Sequence, residues 1–283
     1  MTELRENILG SETSQYLLLH KENPVFWQVW NKKTLKIAET LNKPILLSSG
    51  YSACHWCHVM ADESFSDPVT ANIMNTLFIN IKLDKEEHPE IDLIYQEALE
   101  TMGKQRGWPL TMFLTPQGKP FFGGTYFPLK KRAHLPPFVD ILHLASDMYV
   151  NKNYQSVPTL AKTEPYPSNL EPNIGSKQIS IDQRNHVAMQ LASGIDFIYG
   201  GFGRQAKFPH SMALETILRA GVRTQNPRYD SALIRTLDSI CLGGLRDHLG
   251  GGFFRYTTDE TWKVPHFEKM LYDNALILDL LIV

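Results

Sequence analysis

The run Lys43-Pro44-Ile45-Leu46-Leu47-Ser48-Ser49-Gly50-Tyr51-Ser52-Ala53-Cys54-His55-Trp56-Cys57-His58 decides the fold of the first half of the chain. Pro44 to Ser48 is short and almost continuously apolar, the pattern of a strand covered on both faces. Gly50 and Ser52 break it, and Ser52 is read as the N-cap of a helix that begins at the cysteines. Two thiols therefore fall at a strand-to-helix junction. The first turn of a helix offers unpaired amides and the positive end of the macrodipole, which draw a thiol pKa down from about 8.5 toward neutrality. Cys54 is read as the attacking thiolate, and Cys57, about one turn further on, as the resolving thiol. His55 and His58 add positive charge when protonated, and Trp56 between the cysteines completes the motif.

The elements around this junction alternate. Upstream, Trp27, Trp30, Ile37, Ala38 and Leu41 recur at helical spacing, which predicts a helix within Pro24 to Asn42. Downstream, the pattern predicts a helix over Pro68 to Asn75, a strand over Phe78 to Leu83 and a helix over Pro89 to Met102. After Gly107-Trp108-Pro109, strand-like runs Leu110 to Leu114 and Pro120 to Phe122 flank the turn Thr115-Pro116-Gln117-Gly118, and a helix over Pro137 to Tyr149 closes the unit. Such alternation argues for one covered α/β domain, assigned to residues 1–152.

Periodicity then disappears, and Pro158, Pro165, Pro167 and Pro172 accumulate in a segment read as a linker over 153–180. Residues 181–283 return to helical spacing, with helices expected over Asp182 to Tyr199, Ser211 to Val222, Arg228 to Leu242 and His266 to Val283. The second region is thus all-α. Its last run, Leu276 to Val283, is apolar without a cap, so the chain is expected to stop inside its helical domain.

Composition limits the partners. The 283 residues carry 28 basic and 30 acidic side chains, a formal charge of −2, which gives no electrostatic case for nucleic acid. The charged start of the chain, with Glu3, Arg5, Glu6 and Glu12, does not resemble a signal peptide, and no run approaches the roughly 18 apolar residues of a membrane span. Three cysteines, two of them in one motif, suit a reducing compartment, and a cytoplasmic protein is expected. Cys241, alone in an apolar helical stretch, reads as core packing. The competing chemistry is zinc, for which Cys54, His55, Cys57 and His58 offer ligands of the right type. The first domain has no second Cys-x-x-Cys or His pair to complete such a site, so redox is favoured and neither a metal nor another cofactor is expected.

The motifs together resemble a known family. The stretch Lys43 to Met60, Glu63-Ser64-Phe65, Gly107-Trp108-Pro109-Leu110, Phe113-Leu114-Thr115-Pro116 and Gly123-Gly124-Thr125-Tyr126-Phe127-Pro128 resemble the thioredoxin-domain family that includes spermatogenesis-associated protein 20. Gly200-Gly201-Phe202-Gly203, Lys207-Phe208-Pro209 and the run Gly250 to Ala275 are similar to that family's second domain. The resemblance implies an α/β thioredoxin-like fold followed by an (α/α) toroid of the six-hairpin glycosidase-like kind, of which this chain holds an incomplete part. It also implies that Pro109 is the cis-proline facing the cysteines, with the Trp108 backbone presented to a protein thiol or disulfide substrate. Two departures stand out. Thioredoxins place a buried carboxylate six residues ahead of the first cysteine, where this chain has Ser48, and an aromatic just before that cysteine, where it has Ala53. Glu63, six residues past Cys57, could substitute for it, although a helix-surface carboxylate is the plainer reading.

The helical region has its own candidates. His266, Glu268 and Asp273 could supply titrating groups, with Asp247 and His248 from an earlier loop, and Arg255, Tyr256 and Trp262 could line a pocket for a sugar ligand. Three functions follow from these readings: a thiol–disulfide oxidoreductase, a carbohydrate-active or carbohydrate-binding toroid with a redox module, and a zinc-binding structural domain.

Overall fold

The computed structural model describes residues 4–133, 135–153 and 179–282. The chain divides into two compact units, Met1–Glu171 and Pro172–Val283. The segment read as a linker lies, apart from its ends, outside the described residues.

The first unit runs α1 (Gln15–Leu18), β1 (Gln28–Val29), α2 (Lys32–Leu41), β2 (Ile45–Gly50), α3 (His55–Met60), α4 (Pro68–Leu77), β3 (Ile79–Asp84), α5 (Pro89–Thr101), β4 (Leu110–Leu114), β5 (Pro120–Gly124) and α6 (Phe138–Val150). Its five strands stand in the order β1-β3-β2-β4-β5. β1, β3 and β2 are parallel, β4 runs antiparallel to β2, and β5 runs antiparallel to β4. This is the thioredoxin-like arrangement that the alternating sequence pattern and the family resemblance imply.

Every residue of β2, β3 and β4 is buried, because helices cover both sheet faces. One face carries Ile45, Leu47, Ile79, Ile81, Leu83, Leu110, Met112 and Leu114 against Tyr95, Ala98 and Leu99 of α5. The other carries Ser48 and Lys82, neighbours in the β2–β3 register, beneath the cysteine junction. The alternation of side chains along each strand thus separates an apolar face from one with buried polar groups.

The helix expected within Pro24 to Asn42 starts only at Lys32. Asn31 is extended at φ −153° and its side chain accepts from Thr34 N at 2.8 Å, so it caps α2 from outside. The residues before it instead supply β1, with Gln28 and Val29 paired to Ile81 and Lys82.

The second unit holds α7 (Ile181–Ser193), α8 (Ser211–Thr224), α9 (Pro227–Leu242) and α10 (Leu271–Ile282); long glycine-containing loops precede α8 and α10, and the short turn Gln225-Asn226 joins α8 to α9. Ser180 and Gln183 form a reciprocal capping box at the start of α7. Leu214, Ile217, Tyr229, Leu233, Ile240 and Trp262 build the shared core. Contacts of α8 with α7, α9 and α10 make this a helical unit consistent with part of an α/α toroid. Two boundaries differ from the sequence pattern. α7 stops at Ser193, after which Ile195 bridges to Phe202, and Pro265–His266 forms β7, paired with β6 (Tyr256–Thr257), before α10 begins at Leu271. Backbone pairing across these loops outweighs their apolar spacing.

Candidate active site

Cys54 itself, rather than Ser52, caps α3. The turn Tyr51 to Cys54 closes with Cys54 N donating to Tyr51 O at 3.1 Å, which leaves Cys54 extended at the helix entrance. Its sulfur accepts from Cys57 N at 3.2 Å, a hydrogen bond that favours negative charge on Cys54 when the pair is open. The two sulfurs are joined, with Cα atoms 5.2 Å apart. Both cysteines are buried, whereas Trp56 between them is 42% exposed. Beyond Met60 the helix continues as a π-helical turn, Ala61–Phe65.

The exposed rim is aromatic. Trp56 packs on Tyr126 with ring centroids 4.9 Å apart, and His55 packs edge-on to Trp56 at 5.5 Å. Tyr126 donates to Glu63 at 2.7 Å, and burial together with that carboxylate pushes its phenol up to about 12. Glu63 is thus engaged at the rim, not beneath the cysteines. His58 Nε2 donates to Ser52 O at 2.6 Å and stitches α3 to the preceding turn.

The Trp108–Pro109 peptide is cis. β2 and β4 pair Ser49 with Leu110, and the same register carried one step on sets Pro109 opposite Gly50, where the cysteine loop leaves the sheet. α5 fixes this segment from below. Gln96 Nε2 donates to Gly107 O at 3.0 Å while its Oε1 accepts from Gly107 N at 3.1 Å. One turn earlier, Asp92 Oδ1 accepts from Ser49 Oγ at 2.6 Å and from the Trp108 indole at 3.1 Å. Burial pushes the Asp92 carboxyl up, and these hydrogen bonds offset only part of that rise. The Trp108 ring meets Tyr51 edge-on at 5.7 Å, with Lys85 Nζ over both rings.

Beneath the cysteines lies a group of residues that sequence reasoning missed. Lys82 is fully buried, donates to Ser48 Oγ at 3.0 Å, and lies over the rings of Phe65, Tyr16 and Trp27 at 4.5, 5.1 and 5.1 Å. No carboxylate pairs with it among the described residues, and burial holds its amine well below the usual lysine range. Tyr16 and His20 pack edge-on at 5.1 Å beside it. His20 is held well below the ordinary imidazole range by burial and then by Lys82. The signals were present: a lone lysine in the apolar run Ile79-Asn80-Ile81-Lys82-Leu83, and Tyr16 and His20 at helical spacing.

In the second unit, Tyr256 stacks on His266 at 4.8 Å and on Phe208 at 4.6 Å. Arg255 lies 3.4 Å from buried Glu268 and 4.0 Å from Asp273, and His266 Nδ1 lies 3.8 Å from Glu268. His266, Glu268, Asp273, Arg255 and Tyr256 therefore share one neighbourhood. Trp262, grouped with them on sequence, is fully buried in the helical core and donates to Tyr199 O at 3.0 Å. Asp247 pairs with Lys269, and His248 Nε2 donates to Gly243 O. Among the described residues no three His, Cys, Asp or Glu side chains converge as a metal site, and Cys54, His55, Cys57 and His58 do not do so. Nor is any described helix long and apolar enough to cross a membrane.

Residues 6–164 match the family described as Thioredox_DsbH, protein of unknown function, DUF255. The chain belongs to this family. Curated relatives of the DUF255 chain include an uncharacterized protein, B0495.5, of Caenorhabditis elegans, 38% identical over 98% of this chain and 38% of its own length. Spermatogenesis-associated protein 20 of Rattus norvegicus and of Homo sapiens is likewise 38% identical, over 95% of this chain and 35% of its own length. The chain spans little more than a third of these relatives. Among solved structures, it is similar to a DsbH oxidoreductase (18% identity, TM-score 0.35, covering 44% of this chain and 85% of the other). A thioredoxin from Thermus thermophilus is similar at 17% identity and TM-score 0.35, covering 45% of this chain and 91% of the other.

Proposed function

We propose that residues 1–152 form a thiol–disulfide oxidoreductase module, followed by a linker over 153–180 and a helical domain over 181–283. The observation that carries this reading is the placement of Cys54 at the entrance of α3, bonded to Cys57, with the cis-Pro109 segment opposite Gly50.

In the forward direction Cys54 thiolate attacks one sulfur of a substrate disulfide. The substrate S–S bond breaks, a Cys54–substrate disulfide forms, and the departing sulfur leaves as a thiolate that takes a proton from water. Cys57 thiolate, its proton lost to solvent, then attacks Cys54 Sγ and releases the second substrate thiol, leaving the pair oxidised. A dithiol reductant restores it. The Cys57 amide steadies charge on Cys54. The backbone before Pro109 pairs with an extended substrate, held by the Gln96 and Asp92 contacts, and Trp56 with Tyr126 forms an apolar rim for it. A protein thiol or disulfide is the proposed substrate, and a reducing cytoplasm would keep the couple ready to donate electrons.

Reduction of insulin by dithiothreitol tests the proposal. The native chain accelerates precipitation of the free B chain, and Cys54→Ser loses that acceleration. Equal rates for the two proteins would sink it.

A further inference from the structure

Tyr16 has a fully buried hydroxyl with no hydrogen-bond partner among the described residues. A buried hydroxyl without a partner is costly, so its target is worth identifying. The backbone at Gly50 identifies it. A Cβ at that position would overlap the Tyr16 hydroxyl oxygen and lie 2.6 Å from Cys57 Sγ, so the phenol and the sulfur flank the same point. Glycine is what allows them to face each other at the end of β2.

We infer that Tyr16 is a catalytic residue whose hydroxyl donates a hydrogen bond to the Cys57 sulfur once the Cys54–Cys57 disulfide opens. In the oxidised pair Cys57 Sγ is a neutral disulfide sulfur and a poor acceptor. In the reduced state it is a thiol and, in the resolving step, a thiolate with full negative charge, a far stronger acceptor, and the orphaned O–H gains its partner. No bond to hydrogen breaks at Tyr16; the Cys57 proton still leaves to solvent and the electron pair goes to Cys54 Sγ.

The surroundings favour a donor over an acid. Burial first, and then the carboxylates of Asp84 and Asp92, push the phenol well above its ordinary range. Lys82 Nζ lies 5.1 Å from the ring centre, and His20 packs on the ring edge with His58 acting on it from α3. None of these groups takes the phenolic hydrogen in a hydrogen bond. The arrangement also answers the absence of a carboxylate at Ser48: the sulfur is served by a neutral donor from α1 instead of an acid from β2.

The role in turnover rests on the oxidoreductase reading, whereas the preference for the reduced state does not. The test is equilibration of the full chain with glutathione, following the Cys54–Cys57 couple by alkylation and mass. Tyr16→Phe keeps the ring and removes the donor, so the reduced state loses its added hydrogen bond. The expected result is on the order of a tenfold shift toward the disulfide, a potential about 30 mV more negative. Site-specific 3,5-difluorotyrosine at position 16, a stronger donor, shifts the couple the opposite way and decides the matter if Tyr16→Phe unfolds. An unchanged potential in a folded Tyr16→Phe protein, or no opposite shift with the fluorinated residue, overturns the inference. No insulin reduction by the native chain, with both shifts intact, overturns the proposed activity alone.

Discussion

Lys82 Nζ donates to Ser48 Oγ at 3.0 Å from a buried site with no paired carboxylate among the described residues. Three ring faces favour a cation there, but each is worth only about 0.5–2 kcal/mol, while taking a charge out of water costs several kcal/mol. Burial therefore prevails and holds the amine well below the usual lysine range.

Lys82→Met follows directly. The unfolded chain binds a proton at Lys82 below the ordinary value of 10.5 that the folded chain resists binding, so the native protein gains stability as pH rises through that window. Lys82→Met should be more stable at pH 7 by about 1–3 kcal/mol, after the lost Ser48 contact, and the gain should shrink toward pH 10. Urea unfolding at pH 7 and 9.5 measures it, and a difference that grows with pH contradicts the assignment.

Gly50→Ala should be damaging although the change is one methyl group. The added carbon has no room between Tyr16 and Cys57, and both are anchored in the core. A loss of about 1–3 kcal/mol is expected, with insulin reduction slowed more than tenfold. Thermal melting and the insulin assay check the two effects separately, and a fully active, equally stable variant contradicts the packing described for this junction.

Asp92 has the opposite pH signature from a surface carboxylate. Its folded pKa lies above the ordinary 3.8, so the folded state holds a proton that the unfolded chain has released, and stability falls as pH rises above that value. Asp92→Asn keeps an oxygen for Ser49 and Trp108 while removing the titration. As pH rises above 3.8 the native chain should lose stability relative to Asp92→Asn. Parallel pH profiles for the two proteins would contradict this.

In the second unit Lys207 is fully buried and donates to Asp196 Oδ2 at 2.7 Å and to Gly200 O at 2.6 Å. Burial pushes the Asp196 carboxyl up, but Lys207 and the amides of Tyr199 and Ile198 outweigh it and hold it below its ordinary value. Lys207→Met leaves Asp196 Oδ2 without its cation and Gly200 O with only the longer Trp262 indole contact. A loss of about 3–5 kcal/mol in the second unit is expected, read by amide exchange in α8 and α9.

The α/β order of the first unit was legible because β2, β3 and β4 read as short apolar runs broken by Gly and Pro, and helical spacing filled the intervals. Cys54, Cys57 and Pro109 were legible as a motif. Tyr16 and Lys82 were not, because each reaches the cysteine junction only through the sheet: Lys82 by its register with Ser48, Tyr16 by facing Gly50 from α1. The early helix was misplaced because Trp27 and Trp30 are apolar for β1 and the core rather than for α2. Trp262 was drawn to a pocket by its neighbours in sequence, whereas the left-handed backbone at φ 62° turns it into the helical core.

Covalent trapping of the first step tests the central claim most directly. Cys57→Ser, incubated with a peptide disulfide and quenched in acid, should carry one peptide adduct located at Cys54 by fragment mass, while Cys54→Ser should carry none at Cys57 under the same conditions. Equal adducts on the two variants, or an adduct at Cys241 alone, would contradict the assignment of Cys54 as the attacking thiolate.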